Sequence, residues 1–338
     1  MLKFTENEAL ATRHTFAIST FSRYYVETDD TVALFDFLND NKAISASVLI
    51  IGEGSNLLFR NDYPGLILHP VNKGIRIFDS EKDSVIVQAE AGVNWDELVD
   101  WSVRHAYGGL ENLSMIPGSV GAAPVQNIGA YGTEVGNWIT EVLTFNLVTG
   151  ESKWISNESC AFAYRDSIFK SDEYNNIIVW SVRFKLQKKA QVNLRYKGLN
   201  EALKNIHNPG IREIREAVIK IRSSKLPDTM IIGNAGSFFR NPTVTYKKAA
   251  SIKTDYPDVP TYSTENPDRI KLAAGWLIEK CGYKAYRKAD AGVYPNQALV
   301  LVNYGSASGD EIYELARDII ESVKSKFNIT LEPEVRIL

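Results

Sequence analysis

One stretch in the middle of the chain limits what the chain can fold into. Residues 116–132, IPGSVGAAPVQNIGAYG, combine four glycines and two prolines with no charged side chain. Glycine and proline disfavour a helix or a central strand, and a surface linker would be more polar. Long loops in compact domains are more often functional than idle. The stretch is interpreted either as a backbone cradle for a large flat ligand, contacted by Gly118, Ser119 and Gly121, or as a buried structural loop.

A second glycine-rich turn is interpreted either as an anion site or as an ordinary turn after a strand. GEGSN (52–56) follows the apolar run SVLIIG (47–52), which predicts a buried strand. Successive backbone N–H groups in such a turn can bind an anion. Because residue 57 is Leu57, the turn is not a dinucleotide-binding G-x-G-x-x-G motif, and the chain has no Walker A motif.

Length and charge narrow the class of protein. A chain of 338 residues exceeds the size of a single core, so at least two domains are expected. The net charge of −3 argues against nucleic acid as a partner. Two cysteines and four scattered histidines lack the spacing of a disulfide framework or a metal site. No signal peptide or membrane-length apolar run is apparent, so a cytoplasmic protein without membrane contact is expected.

Hydrophobic periodicity predicts mixed helices and strands. Strands are expected at 85–92, 141–150, 177–186, 298–303 and 329–338, where Glu334 and Arg336 would share a face. Four helices are expected. The first runs from an Asn94 cap to a stop at Gly108–Gly109, and the second ends before Pro227. The third spans 271–282, and the fourth follows a Ser308–Glu311 capping box. The polar stretch 187–198 predicts the main domain boundary.

Three further stretches are ambiguous when each is taken alone. In GNAGSFFRNP (233–242), Ser237 is expected in a tight, apolar place. It is interpreted either as a turn residue hydrogen-bonded to its own backbone or as a reactive hydroxyl. In AYRDSIFK (163–170), Arg165 either pairs with Asp166 or grips a substrate carboxylate. In SSKLPD (223–228), Lys225 stands where a phosphate could bind.

Taken in order, seven motifs resemble one enzyme family. GEGSN, IPGSVGAAPVQNIGAYG, YRDSIFK, KLPD, GNAGSFFRNP, LAAGWLIE and LEPEVR are similar to the motifs of UDP-N-acetylenolpyruvoylglucosamine reductases, flavoenzymes of peptidoglycan precursor synthesis. The likeness runs from HTFAI (14–18) to the C-terminus, and RYKGL (195–199) resembles the subtype with an extra tyrosine-bearing segment. His14 and Tyr294 depart from the pattern, since many relatives have asparagine and histidine there.

The resemblance implies an α+β fold and two cofactors. A two-lobed FAD-binding domain of the vanillyl-alcohol-oxidase (PCMH) type would span 1–190, with lobes at 1–72 and 73–190. A smaller α+β substrate-binding domain would span 191–338, and its last strand, 329–338, would return to the active site. FAD would bind non-covalently and NADPH would be the reductant. The implied FAD contacts are Gly52, Glu53, Gly54, Ser55, Asn56, Gly118, Ser119, Gly121, Ala122 and Ile128.

The resemblance also implies a reaction. Hydride from reduced FAD N5 would reach the enolpyruvyl group of UDP-N-acetylglucosamine enolpyruvate and give UDP-N-acetylmuramate. Ser237 would donate the proton, and Arg165 and Glu334 would stabilise the enolate. The implied substrate contacts are Tyr131, Tyr196, Lys225, Asn241, Gln297 and Arg336, in a protein expected to be a monomer.

Other functions stay open on the sequence alone. The first is another FAD-dependent oxidoreductase with the same flavin-binding fold. A serine hydrolase built on Ser237 would lack the usual G-x-S-x-G motif. A non-catalytic protein that binds nucleotide sugars would be colourless when purified, which a flavoprotein is not.

Overall fold

The chain folds into two compact units. The computed structural model describes residues 1–264 and 266–338, and for Ala46 the backbone alone. Unit 1 comprises Met1–Glu8, Ser22–Glu53 and Pro64–Arg222; unit 2 comprises Ala9–Phe21, Gly54–Tyr63 and Ser223–Leu338. Both units combine helices with largely antiparallel sheets, which confirms the α+β class. The predicted domain division at residues 190 and 191 stays a prediction.

In chain order, the α-helices of the described residues are α1 (Thr31–Asp40), α2 (Trp95–Arg104), α3 (Lys197–Leu203), α4 (Ile211–Lys225), α5 (Tyr246–Asp255), α6 (Ala274–Lys280) and α7 (Gly309–Phe327). The strands are β1 (Leu2–Ala9), β2 (Phe21–Thr28), β3 (Val48–Ile50), β4 (Leu57–Leu58), β5 (Tyr63–Pro70), β6 (Ile75–Ser80), β7 (Ser84–Glu90), β8 (Gly129–Ala130), β9 (Thr133–Glu134), β10 (Ile139–Asn146), β11 (Ser152–Ser156), β12 (Ile177–Gln187), β13 (Gly233–Ser237), β14 (Thr243–Thr245), β15 (Thr261–Ser263), β16 (Arg269–Leu272), β17 (Arg287–Lys288), β18 (Ala291–Val293), β19 (Val300–Asn303) and β20 (Arg336–Ile337).

Unit 1 is built on two main sheets. An antiparallel sheet has the order β11-β10-β12-β7-β6, and a second sheet has the order β1-β2-β5-β3, in which β3 runs parallel to β5. Helix α2 covers the first sheet, because Trp95, Leu98 and Val99 are fully buried in the same cluster as Val182 and Phe184. Trp95 is therefore a core residue of this unit.

Unit 2 has its own core. An antiparallel sheet of order β13-β19-β18-β17 lies beside a smaller one of order β14-β16-β15, and β20 pairs in parallel with β4. Helix α7 buries Ile312 and Ile319 in a cluster that also contains Phe238 and Phe239. Its capping box is present as predicted: the Ser308 hydroxyl accepts from the Glu311 N–H, and the Glu311 carboxylate accepts from the Ser308 N–H.

Several predicted element ends are wrong. Helix α2 ends at Arg104, before the glycines, because Ala106 adopts a left-handed φ of 60° and closes the helix. Helix α6 begins at Ala274, because Lys271 and Leu272 belong to strand β16. The last strand covers only Arg336–Ile337. Glu334 lies outside it, so Glu334 and Arg336 are not neighbours on one strand as predicted.

The other predicted elements are confirmed at β3, β7, β10, β12, β19, α4 and α7. Among the helices of the described residues, none has the length and apolar character needed to span a bilayer.

Candidate functional site

A β-bulge in unit 2 carries Ser237. Strand β13 pairs with β19 so that Asn234 lies opposite Val302 and Ser237 opposite Val300, which leaves one extra residue on β13. Gly236 sits in this bulge with φ 67°, and a Cβ built on it would have no atom within 4 Å. The buried Asn234 fixes the turn, since its Oδ1 accepts from the Gly236 N–H at 2.9 Å.

The bulge turns Ser237 outward. Ser237 is exposed, while the next two residues, Phe238 and Phe239, are 0% and 1% exposed. The expectation that the hydroxyl lies in a tight, apolar place is therefore wrong: only its flanks are buried. The hydroxyl has no hydrogen-bond partner among the residues that the structure describes. It can therefore bond a ligand without breaking an existing contact.

The C-terminal segment of unit 2 runs alongside the Ser237 strand. The Glu334 N–H donates to the Phe238 carbonyl at 2.8 Å, and Phe239 forms an antiparallel bridge with Pro333. Asn56 joins the same segment, because its Nδ2 donates to the Glu334 carbonyl at 3.1 Å. Its own carbonyl accepts from the N–H of the exposed Arg336 at 3.0 Å. Four of the predicted site residues are thus brought together in one unit by main-chain pairing.

Two more predicted residues of unit 2 meet at the start of helix α6. The Asn241 Oδ1 accepts from the Ala274 N–H at 2.9 Å, so this side chain caps the helix from a distance. A Cβ built on Gly275 would lie 3.0 Å from the Gln297 Oε1, which places Gln297 at the same helix end. The Asn241 Nδ2 keeps both of its N–H donors free among the described residues.

Lys225 is the last residue of helix α4 and is exposed. The buried Pro227 follows it, as the sequence predicted for the helix end. The neighbouring Ser224 carbonyl accepts from the Asn296 Nδ2 at 3.3 Å, and Asn296 directly precedes Gln297. This hydrogen bond ties the end of α4 to the segment that carries Gln297.

In unit 1, the small residues of the 116–132 loop allow close approach of backbones. A Cβ on Gly121 would lie 2.7 Å from the Ala91 Cβ, and a Cβ on Gly52 would meet the Ser119 Oγ. The loop is bound to the segment before α2, since the Val120 N–H donates to the Val93 carbonyl at 2.8 Å. Within the described residues, the N–H groups of Gly52 and Glu53 in the 52–56 turn, and of Gly118 and Ser119 in the loop, donate to no acceptor.

Arg165 lies against the far end of the same loop. Its Nη2 donates to the Gly129 carbonyl at 2.6 Å, and its backbone has a left-handed φ of 56°. The buried Asn127 holds the two segments together, because its Nδ2 donates to the Ala163 carbonyl at 2.9 Å. Asp166 lies 4.0 Å from the Lys170 Nζ. The guanidinium is thus placed beside Gly129, near the end of the loop.

Tyr131 and Tyr196 meet edge to face in unit 1, with ring centroids 5.0 Å apart. Burial raises the pKa of the Tyr131 hydroxyl, and the positive charge of Arg222 opposes this rise. The Arg222 Nε is buried without a hydrogen-bond partner among the described residues. Sequence reasoning missed Arg222; its seven-residue spacing from Arg215 on α4 was the available signal, because that spacing puts both on one helix face.

The backbone N–H groups of these segments are suited to a pyrophosphate. Among the described residues no group of His, Cys, Asp or Glu side chains could hold a metal ion. Free backbone N–H groups along glycine-rich turns are the donors that a pyrophosphate accepts from. The unbonded N–H groups of Gly52, Glu53, Gly118 and Ser119 therefore fit a pyrophosphate such as that of FAD.

Comparisons with known proteins agree with this assignment. The family model for an FAD binding domain matches residues 23–156, and the model for the C-terminal domain of UDP-N-acetylenolpyruvoylglucosamine reductase matches residues 227–338. The chain thus contains an FAD-binding domain.

Full-length relatives and a solved structure extend the match. The chain is 44% identical over 331 residues to the UDP-N-acetylenolpyruvoylglucosamine reductase of Porphyromonas gingivalis, covering 97% of each protein. It is 43% identical over 340 residues to that of Chromobacterium violaceum, covering 100% of this chain and 99% of the other. It shares the fold of the crystal structure of the Thermus caldophilus reductase, with a TM-score of 0.69 at 21% identity, over 100% of this chain and 98% of that one. The chain belongs to the UDP-N-acetylenolpyruvoylglucosamine reductase family.

Proposed function

We propose that the chain reduces the enolpyruvyl group of UDP-N-acetylglucosamine enolpyruvate with NADPH, giving UDP-N-acetylmuramate for peptidoglycan synthesis. Family membership supports the substrate, since relatives at 44% and 43% identity bear the name of this reductase. The single structural observation that carries the proposal is the exposed, unbonded Ser237 hydroxyl held beside the Glu334 segment. The cytoplasmic location and the monomeric state remain predictions.

The cofactor contacts are proposed from the free donors in the glycine-rich turns. Gly52 and Glu53, with Gly118 and Ser119, would donate N–H groups to the pyrophosphate. When bound there, FAD would supply the hydride-transfer chemistry between NADPH and the enolpyruvyl group. The remaining proposed contacts along these turns are Gly54, Ser55, Asn56, Gly121, Ala122 and Ile128.

Ser237 is proposed as the proton donor. Hydride addition to the terminal carbon leaves negative charge on the carbon beside the carboxylate, and that carbon must take up a proton. A serine hydroxyl is a weak acid, so it can donate only when it is held against a strongly basic carbon. The bulge at Gly236 provides such a fixed mount. Arg165 and Glu334 are proposed to stabilise the enolate through the guanidinium charge and a shared proton.

Two of the substrate contacts are proposed for side chains whose N–H donors have no hydrogen-bond partner among the described residues. The Asn241 Nδ2 and the exposed Lys225 Nζ have no partner among the described residues and suit a pyrophosphate. The other proposed contacts are Tyr131, Tyr196, Gln297 and Arg336.

Anaerobic stopped-flow absorbance of the flavin tests the proposal. In the wild type, we expect NADPH to bleach the flavin and UDP-N-acetylglucosamine enolpyruvate to restore its colour. Ser237→Ala should keep the first half-reaction and slow the second by roughly a hundredfold or more, which is the usual size of a proton-transfer contribution. Ser263→Ala, another exposed serine of unit 2, is the matched control.

The outcomes separate the two parts of the proposal. A wild-type flavin that is reduced but not reoxidised by this substrate would show that the substrate is wrong. Normal reoxidation in Ser237→Ala would remove Ser237 from the mechanism and leave the substrate assignment intact.

A further inference from the structure

Asn94 links the two segments of unit 1 that would hold the cofactor pyrophosphate. Its Nδ2 donates to both Glu53 oxygens, at 2.9 Å to Oε1 and 3.1 Å to Oε2. Its backbone forms an antiparallel bridge with Ser119, in which the N–H of the next residue, Trp95, donates to the Gly118 carbonyl at 2.9 Å. One residue therefore contacts both glycine-rich turns.

The same side chain also starts a helix. The Asn94 Oδ1 accepts from the N–H groups of Asp96 and Glu97 at 2.9 and 3.2 Å, which caps helix α2. The amide of Asn94 is therefore held in one orientation: its oxygen points to the helix and its nitrogen points to Glu53. A fixed donor of this kind loses little entropy when it binds a carboxylate.

Glu53 poses an electrostatic problem for a pyrophosphate site. A carboxylate next to an anionic ligand opposes binding unless other groups balance its charge. In this structure the half-buried Glu53 carboxylate is turned onto the amide of Asn94, beside the positive end of α2. This arrangement leaves the neighbouring N–H groups of Gly52 and Glu53 for a ligand.

We propose that Asn94 is a positioning residue for FAD: it holds the Glu53 carboxylate away from the pyrophosphate and fixes the two N–H-bearing turns in register. The proposal rests on the proposed cofactor site. Asn94 would make no contact with the reacting atoms. The proposal predicts that tight FAD binding requires one hydrogen-bond donor and one acceptor in the side chains at positions 53 and 94.

Exchange of the hydrogen-bond donor and acceptor between Asn94 and Glu53 tests the proposal. Asn94→Asp keeps the cap on α2 but places a second carboxylate against Glu53, and Asn94→Ser keeps the cap and removes the donor. Glu53→Gln alone keeps an acceptor for Asn94. The double variant Asn94→Asp, Glu53→Gln restores one donor and one acceptor in reversed order. The dissociation constant for FAD is measured by titration of apoprotein with quenching of flavin fluorescence, and circular dichroism checks the fold of each apoprotein.

We expect Asn94→Asp and Asn94→Ser to raise the FAD dissociation constant by about tenfold or more, and the double variant to return it to within about threefold of wild type. Unchanged affinity in Asn94→Asp would overturn the proposal, as would a double variant that binds no better than Asn94→Asp alone. If Asn94→Asp does not fold, Asn94→Ser decides in the same way, because it adds no charge. Failure of wild-type apoprotein to take up FAD would instead contradict the proposed function.

Discussion

The Glu334 N–H donates a 2.8 Å hydrogen bond to the carbonyl of Phe238, the residue after Ser237. The candidate acid and the candidate enolate partner are therefore carried by two extended segments that pair directly with each other. The pairing is reinforced on the other side of Phe239, where the Arg240 N–H donates to the Glu332 carbonyl at 3.0 Å. Because main-chain bonds set this spacing, substitution of either side chain should leave the other in place.

The bulge at Gly236 should matter more for catalysis than for stability. Its φ of 67° disfavours a side chain, but a Cβ there would have no atom within 4 Å. Gly236→Ala should therefore lower the free energy of unfolding by only about 1 kcal/mol, from backbone strain alone. Relaxation of that strain would turn Ser237, so substrate-dependent flavin reoxidation should slow by about tenfold or more.

Gly282→Ala is a matched control for Gly236→Ala. Gly282 also belongs to unit 2, has φ 84°, and would leave its Cβ without a neighbour within 4 Å. Denaturant unfolding should show similar losses of stability in the two variants, with slow reoxidation confined to Gly236→Ala. Equal reoxidation rates in both variants would contradict the role of the bulge.

Substitutions at Asn241 can separate the structural role of its Oδ1 from the proposed ligand contact of its Nδ2. Asn241→Asp keeps an oxygen that can accept from the Ala274 N–H, so the free energy of unfolding should change little. The lost Nδ2 donors and the new negative charge should raise KM for the UDP-linked substrate by about tenfold or more.

Asn241→Ala completes the comparison. This variant loses the cap as well as the donors, so its free energy of unfolding should fall by about 1 kcal/mol while KM rises. Steady-state kinetics and denaturant unfolding measure the two effects separately. A normal KM in Asn241→Asp would show that the amide serves the fold alone.

Local patterns predicted the elements whose signals lie within a few residues of each other. The capping box at Ser308 and Glu311 marks the start of α7 in the sequence, and the structure forms both of its hydrogen bonds. The end of α2 could not be read in this way. Ala106 takes the left-handed conformation that glycine usually adopts, and the Tyr107 N–H donates to the Ser102 carbonyl at 2.8 Å.

Strand pairing between distant parts of the chain determines the start of helix α6 and the exposure of Ser237, which local sequence patterns did not predict. Lys271 pairs with Thr243 and Tyr262, so the residues before Ala274 form a strand although they continue a helical pattern. Exposure of Ser237 follows from a bulge against Val300, which lies far along the chain. The motif resemblance predicts which residues belong to the site, but the directions of their side chains depend on partners that no local motif contains.

Burial of His14 should make the protein sensitive to acid. His14 is 4% exposed, its Nε2 lies 3.2 Å from the Ile18 carbonyl, and its Nδ1 has no partner among the described residues. Burial lowers the pKa of this imidazole from 6.5 to about 4. The unfolded chain therefore takes up a proton near pH 6.5, whereas the folded protein resists it down to about pH 4.

Acid should destabilise the folded state through His14. Above pH 6.5 both the folded and the unfolded chain are neutral at His14, and the group adds no pH dependence. As the pH falls towards 4, the free energy of unfolding should drop by about 3 kcal/mol from this group, at 1.36 kcal/mol per pH unit. His14→Asn, which removes the titrating imidazole, should remove this part of the pH dependence.

Denaturant unfolding at pH 7 and pH 4.5 measures the effect on each variant. The loss of free energy between the two pH values should be smaller in His14→Asn than in wild type by about 2–3 kcal/mol. His105→Asn, a substitution of an exposed histidine, is the control and should keep the wild-type difference. An unchanged pH dependence in His14→Asn would mean that the imidazole is protonated in the folded protein as readily as in the unfolded chain.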